Sequence, residues 1–245
     1  MAIPDSYPEA VRTALQRMLD GFAAAEPAPV AVVVYGSLAK GTYRAGSSDV
    51  NLVVVLDEAS DDTLTAIRDT LRAAWRAVRM RPFLVTRAEI PRLADAFPIK
   101  IADIVDHHDV LHGDDPFTGV TVERDHMRLR IEQELRNHLL RLRRHYVFAG
   151  DEDGELAKAL FGSASSLGIE VTALLRVCGK SEGQGTLESV AEPAARHLDL
   201  DRTVFDRLIG FRKGEKQADI HGLFFAVVTL LEKAVKIADE LEVAS

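Results

Sequence analysis

Cysteine is almost missing from this chain: Cys178 stands alone among 245 residues. A single thiol excludes an internal disulfide and a cysteine-based zinc site. Its neighbours Val171, Leu174 and Leu175 place it in an apolar helical run, as a core residue. Long apolar runs are missing as well. No stretch approaches the roughly 18 apolar residues that a membrane-spanning helix needs. The opening MAIPDSYPEAVRTALQRM lacks the basic, then apolar, then small-residue order of a signal peptide. A cytoplasmic protein with no membrane partner is the expectation. Positive charge is in deficit too, with 30 Lys and Arg against 38 Asp and Glu, a net charge of -8. Sequence-independent binding to DNA or RNA is driven by phosphate neutralisation, so this balance argues against a nucleic-acid partner. Internal repeats and low-complexity tracts are absent.

What is present is enough apolar material for real cores, at 47% hydrophobic residues. The spacing predicts an amphipathic helix over Tyr7–Ala24, broken by Glu26, Pro27 and Pro29. Val30–Tyr35 is a continuous β-branched run that reads as a strand buried on both faces, stopping at Gly36-Ser37. After a glycine-dotted stretch, Asn51–Leu56 reads as a second buried strand. Leu64, Ile67, Leu71, Trp75 and Val78 then recur at helical spacing over Thr63–Val78. A third strand is expected over Pro82–Thr86, a short helix over Arg87–Ala94, and a fourth strand over Ile99–Val105, followed by His107 and His108.

From His112 the character changes. Gly113, Asp114, Asp115, Pro116 and Gly119 mark a loop, and after Val122 only helical patterns remain, over Arg124–Phe148, Glu155–Cys178, Thr186–His197, Arg202–Phe211 and Asp219–Leu241. The expected organisation is an α/β domain over residues 1–120 and an all-α helical bundle over residues 121–245. Arg128, Arg130, Arg136, Arg141, Arg143 and Arg144 crowd the first long helix of the second half. They read either as a solvated face or as a wall toward anionic phosphates. Phe224 and Phe225 read as core, or as part of a dimer interface.

The chemistry is concentrated in VVVYGSLAKGTYRAGSSDVNLVVVL, residues 32–56. A buried strand ends in Gly36-Ser37, Gly41 follows, and Ser48-Asp49-Val50-Asn51 opens the next buried strand. This arrangement resembles the nucleotidyltransferase superfamily that includes DNA polymerase β and the antibiotic nucleotidyltransferases. Its pattern is strand, Gly-Ser, about a dozen residues, then Asp-x-Asp or Asp-x-Glu. The resemblance implies an N-terminal domain with a mixed sheet and a helical C-terminal domain. It also implies a nucleoside triphosphate such as ATP, Mg²⁺ or Mn²⁺, an unidentified small-molecule acceptor, and a homodimer. The expected reaction is transfer of AMP from Mg-ATP to a hydroxyl.

The physics of such a site can be stated residue by residue. A glycine turn opening a helix would offer backbone N–H groups and a helix dipole to phosphates, with Ser37 adding a hydroxyl. Lys40, Arg44 and Ser47 lie in the loop beside it, as phosphate contacts or as exposed loop residues. Residues 49 and 51 project to one face of a strand, so two carboxylates there could share a metal. Asn51 departs from the pattern: an amide is a neutral, weaker ligand, and Asp49 is left as the single charged one. Either activity survives on Asp49 alone or the chain binds nucleotide without efficient turnover. A third carboxylate, acting as ligand or base, would be Asp103 if the fourth strand turns that face to the site; otherwise Lys100 stands there. His107 and His108 read as turn or core residues, because adjacent residues of an extended chain point apart.

Overall fold

The computed structural model describes residues 3–46, 48–150, 152–180 and 182–241. The chain divides into two compact units between Val122 and Glu123. The first is built on a four-stranded sheet in the order β3-β2-β1-β4. Its strands are β1 (Ala31–Tyr35), β2 (Val50–Leu56), β3 (Met80–Thr86) and β4 (His108–His112). β1 runs antiparallel to β2 and to β4, whereas β2 and β3 are parallel, so the sheet is mixed.

Both faces of the sheet are covered, which is why β1 and β2 are nearly continuous runs of apolar residues. α1 (Glu9–Ala23) and α2 (Asp61–Val78) cover one face, closing a core of Leu15, Met18 and Ile67 over Val32, Val34, Leu52, Val54 and Leu56. α3 (Ile90–Ala96) and α4 (Pro98–Asp106) cover the other, where Ile90, Leu93, Ile101 and Ile104 meet Val33, Val53, Val55 and Val85. Each such fully buried aliphatic side chain contributes about 1.5–3 kcal/mol.

The predicted fourth strand is corrected. Ile99–Val105 lies inside α4, and the fourth strand is the next segment, His108–His112. Pro98 sits at the first turn of α4, where its missing N–H costs nothing. Ile101 and Ile104 are buried at helical spacing. The alternation of Ile99, Ile101 and Asp103 imitates a strand, but β4 itself is short and polar.

The ends of α2 matter for the site. Ser60 accepts a hydrogen bond from the Thr63 N–H at 3.3 Å as N-cap, and Asp61 and Asp62 occupy the first turn, where the helix dipole favours them. The helix stops at Arg79, whose backbone turns left-handed (φ 54°) while its N–H bonds to the Trp75 carbonyl. β3 begins at the next residue.

The second unit holds α5 (Arg124–Ala149), α6 (Asp153–Val177), α7 (Leu187–Leu198), α8 (Arg202–Arg212) and α9 (Ile220–Glu240), with no strand among the described residues. Leu160, Leu167, Val171 and Leu174 line α6 with full burial, and this helix packs against α5, α7, α8 and α9. α6 is also long and apolar enough to cross a membrane by composition, but most of that stretch is buried inside the protein, as in a core helix. Cys178 caps the end of α6, half-buried, where burial pushes its thiol pKa up. Phe224 is buried as expected, whereas Phe225 is 49% exposed. The arginines of α5 are largely engaged with acids. Arg128 and Arg136 meet Glu132, Arg130 meets Glu134, Arg136 reaches Asp239, and Arg143 reaches Glu232. These pairs knit α5 to itself and to α9.

Candidate functional site

The site residues gather at the end of the sheet where β1 stops and β2 starts. Tyr35, Asn51 and Arg81 form a row across β1, β2 and β3, paired in register. His108 lies opposite Tyr35 on the other side of β1. By strand alternation this row shares a face with Val33, Val53 and Phe83, the face covered by α3 and α4.

Gly36 follows at once, with φ 75°, a conformation that L side chains adopt only at a cost. A Cβ placed on it would lie 3.1 Å from Asn51 Nδ2, so the turn backbone runs directly against the Asn51 amide. The segment after it does not start a helix, contrary to expectation. It is a series of turns closed by Lys40 N–H to Gly36 O (3.0 Å) and Thr42 N–H to Ser37 O (2.8 Å). No helix dipole is therefore directed from this turn.

Asp49 is held rather than presented. Arg79 Nε lies 2.9 Å from its Oδ1 and Arg81 Nε 2.7 Å from its Oδ2. The carboxylate side chain is 21% exposed, while the two arginine side chains remain 51% and 55% exposed. Arg81 also lies over the Trp75 ring, 5.3 Å from its centroid. Neither arginine was singled out from the sequence, because the Asp-x-Asn segment carries no sign of them. They arrive through the parallel register Val50↔Met80 and Asn51↔Arg81. The available signal was Arg79-Met80-Arg81 at a helix-to-strand junction, two basic residues spaced to share a strand face.

Asp103 lies on α4 and forms an ion pair with Lys40, whose side chain is 10% exposed. Burial and the Asp103 charge together raise the Tyr35 pKa above its ordinary value. Lys100, three residues earlier on the same helix, stacks its ammonium 4.4 Å from the centre of the Phe83 ring, and burial lowers its pKa. The strand-phase choice between Asp103 and Lys100 therefore dissolves, since residues three apart on a helix share a side. Arg44 lies in the exposed loop, its backbone N–H donating to Ser48 Oγ at 3.1 Å. Ser47 lies outside the described residues. His107 caps α4, and His108 opens β4, tied to Ile104 O (2.7 Å), Asp115 (3.2 Å) and the edge of Phe117, so both are structural.

Two carboxylates and a third on the neighbouring strand would hold the metals that the superfamily resemblance implies. This chain offers Asp49, already between two guanidiniums, and the neutral Asn51. Among the described residues no group of three or more His, Cys, Asp or Glu side chains could hold a metal ion. The residues do not fit a two-metal centre.

Residues 15–109 match the family model of the nucleotidyltransferase domain. Among solved structures the chain is similar to spectinomycin adenyltransferase AAD(9) from Enterococcus faecialis, determined with ATP and spectinomycin. The TM-score is 0.56 at 10% identity, covering 91% of this chain and 98% of that chain. So low an identity speaks for the fold alone. No curated protein sequence matches the chain. Residues 15–109 thus belong to a nucleotidyltransferase domain, and a helical unit follows it in the chain.

Proposed function

We propose that the N-terminal domain binds a nucleoside triphosphate, ATP in the first instance, by its phosphates at the end of the sheet marked by Gly36, Asn51 and Arg81. Nucleotidyl transfer from that nucleotide is impaired. The observation that carries this reading is the state of the acidic pair: Asn51 is neutral and faces Arg81, and Asp49 is taken up by Arg79 and Arg81. A metal centre built on carboxylates loses both a full charge and the freedom of its remaining ligand.

The test is pyrophosphate release from ATP with Mg²⁺ or Mn²⁺, in the unaltered protein and in Asn51→Asp. The reading predicts release at the level of a protein-free control, with a gain in Asn51→Asp. Robust metal-dependent release by the unaltered protein would sink it.

That outcome would favour a second reading, supported by the likeness to an adenyltransferase solved with ATP and an antibiotic. In it the chain transfers AMP to the hydroxyl of a small molecule, with Asp103 as base. Asp103 would first have to leave Lys40. A screen of hydroxyl-bearing acceptors, aminocyclitols among them, is the experiment for this reading.

A further inference from the structure

We infer that Arg79 and Arg81 form a metal-independent site for the phosphates of a nucleotide, taking over the charge that divalent ions supply elsewhere in the fold. The inference rests on the triphosphate reading above. Three observations carry it.

One is the direction of the contacts. Each guanidinium meets Asp49 through Nε, at 2.9 and 2.7 Å, and each side chain stays half-exposed. With about half of each arginine side chain exposed, both guanidiniums remain accessible to a phosphate, which a planar guanidinium matches. Asp49 is the less exposed partner and acts as a brace that orients two cations. Trp75 also contacts Arg81, its ring centre 5.3 Å from the guanidinium.

The charge balance points the same way. Two positive charges face one negative charge, and the neighbouring Asn51 adds none. Such a cluster repels a dication and attracts an anion. It adjoins the Gly36 turn, because Asn51 separates Arg81 from Tyr35 by one strand on each side and its amide touches the space over Gly36.

The third observation is strain. Arg79 ends α2 in the left-handed conformation, at φ 54°, where glycine or asparagine would sit with less cost. Residues held in such conformations cluster at binding sites. Arg79 holds this position while its side chain reaches Asp49.

The experiment is calorimetric titration of sodium tripolyphosphate and of ATP into the full chain in EDTA, with and without added Mg²⁺. Trp75, the sole tryptophan, reports the location by its fluorescence. Binding in EDTA with a change in Trp75 emission is the expected result. Arg81→Gln and Arg79→Gln should each weaken it by about ten-fold, the loss of one charge-assisted pair. Arg81→Lys should retain part of the affinity, which separates loss of charge from loss of fold. Asp49→Asn frees both guanidiniums and should bind at least as tightly as the unaltered chain.

ATP tighter than tripolyphosphate marks a nucleotide as the ligand, and equal affinity marks the phosphate chain alone; both support the anion site. Binding that needs Mg²⁺ and vanishes in Asp49→Asn would overturn the inference while leaving the nucleotide reading intact. No binding of ATP in either condition would overturn both.

Discussion

Arg81 stands opposite Asn51 in the parallel β2–β3 ladder and reaches past it to Asp49 at 2.7 Å. The place of a second metal-binding carboxylate is thus occupied by a neutral amide with a cation beside it. A reversal of local charge follows, from a site that would collect dications to one that collects anions.

Gly36 should be intolerant of a side chain. Its φ of 75° costs an L residue about 1–2 kcal/mol, and a Cβ would press on Asn51 Nδ2 at 3.1 Å. Gly36→Ala is expected to lower stability by that amount in urea unfolding followed by Trp75 fluorescence, and to weaken ATP binding. Unchanged stability and affinity would show that the turn is not held as described.

Tyr7 ties α1's approach to β4, donating its hydroxyl to the Asp109 carboxylate, and burial together with that carboxylate raises the phenol pKa above its ordinary value near 10. The folded state therefore keeps a proton that the unfolded chain gives up. Stability from this contact is complete below about pH 10 and is lost above it, as the unfolded chain ionises. Tyr7→Phe is expected to cost about 1 kcal/mol at neutral pH, a deficit that shrinks at higher pH. Thermal unfolding of both chains between about pH 7 and pH 11 measures the difference. Tyr35 and Lys100 titrate in both and cancel. A deficit independent of pH would contradict the assignment.

In the helical unit, the buried His138 donates from Nδ1 to Glu170 Oε2 at 2.6 Å, joining α5 to α6. Its Nε2 is buried with no partner. Removing one member of such a pair strands the other, at about 3–5 kcal/mol, whereas replacing both by apolar groups is close to neutral. Glu170→Leu should therefore destabilise strongly and His138→Leu/Glu170→Leu much less, a coupling read by urea unfolding with far-ultraviolet circular dichroism. Additive effects would mean that the two side chains do not act as a pair.

The parts of the fold that were legible are those whose burial is one-dimensional in the chain. Val30–Tyr35 and Asn51–Leu56 advertise strands buried on both faces, and the stripes of α5 and α6 advertise helices. Ile99–Val105 is ambiguous because Ile99, Ile101 and Val105 fit strand alternation while Ile101, Ile104 and Val105 fit helical spacing; Pro98 is the discriminating residue. β4 was invisible because His108, Asp109 and His112 give it little apolar signal. The site divides likewise. Gly36, Asp49 and Asn51 lie in one contiguous motif and could be found there. Arg79 and Arg81 come from thirty residues downstream by strand pairing, information that no local pattern holds. The Lys40–Asp103 pair joins residues 63 apart in sequence for the same reason.

If guanidinium groups stand in place of metal ions at this site, ATP binds with or without a dication. Calorimetric titration of ATP into the unaltered chain, once with Mg²⁺ and once with EDTA, is the decisive measurement. Binding is expected in both conditions, with dissociation constants within about three-fold of each other, less than 1 kcal/mol apart. Binding seen with Mg²⁺ alone would return Asp49 to the role of metal ligand and rule out the guanidinium site.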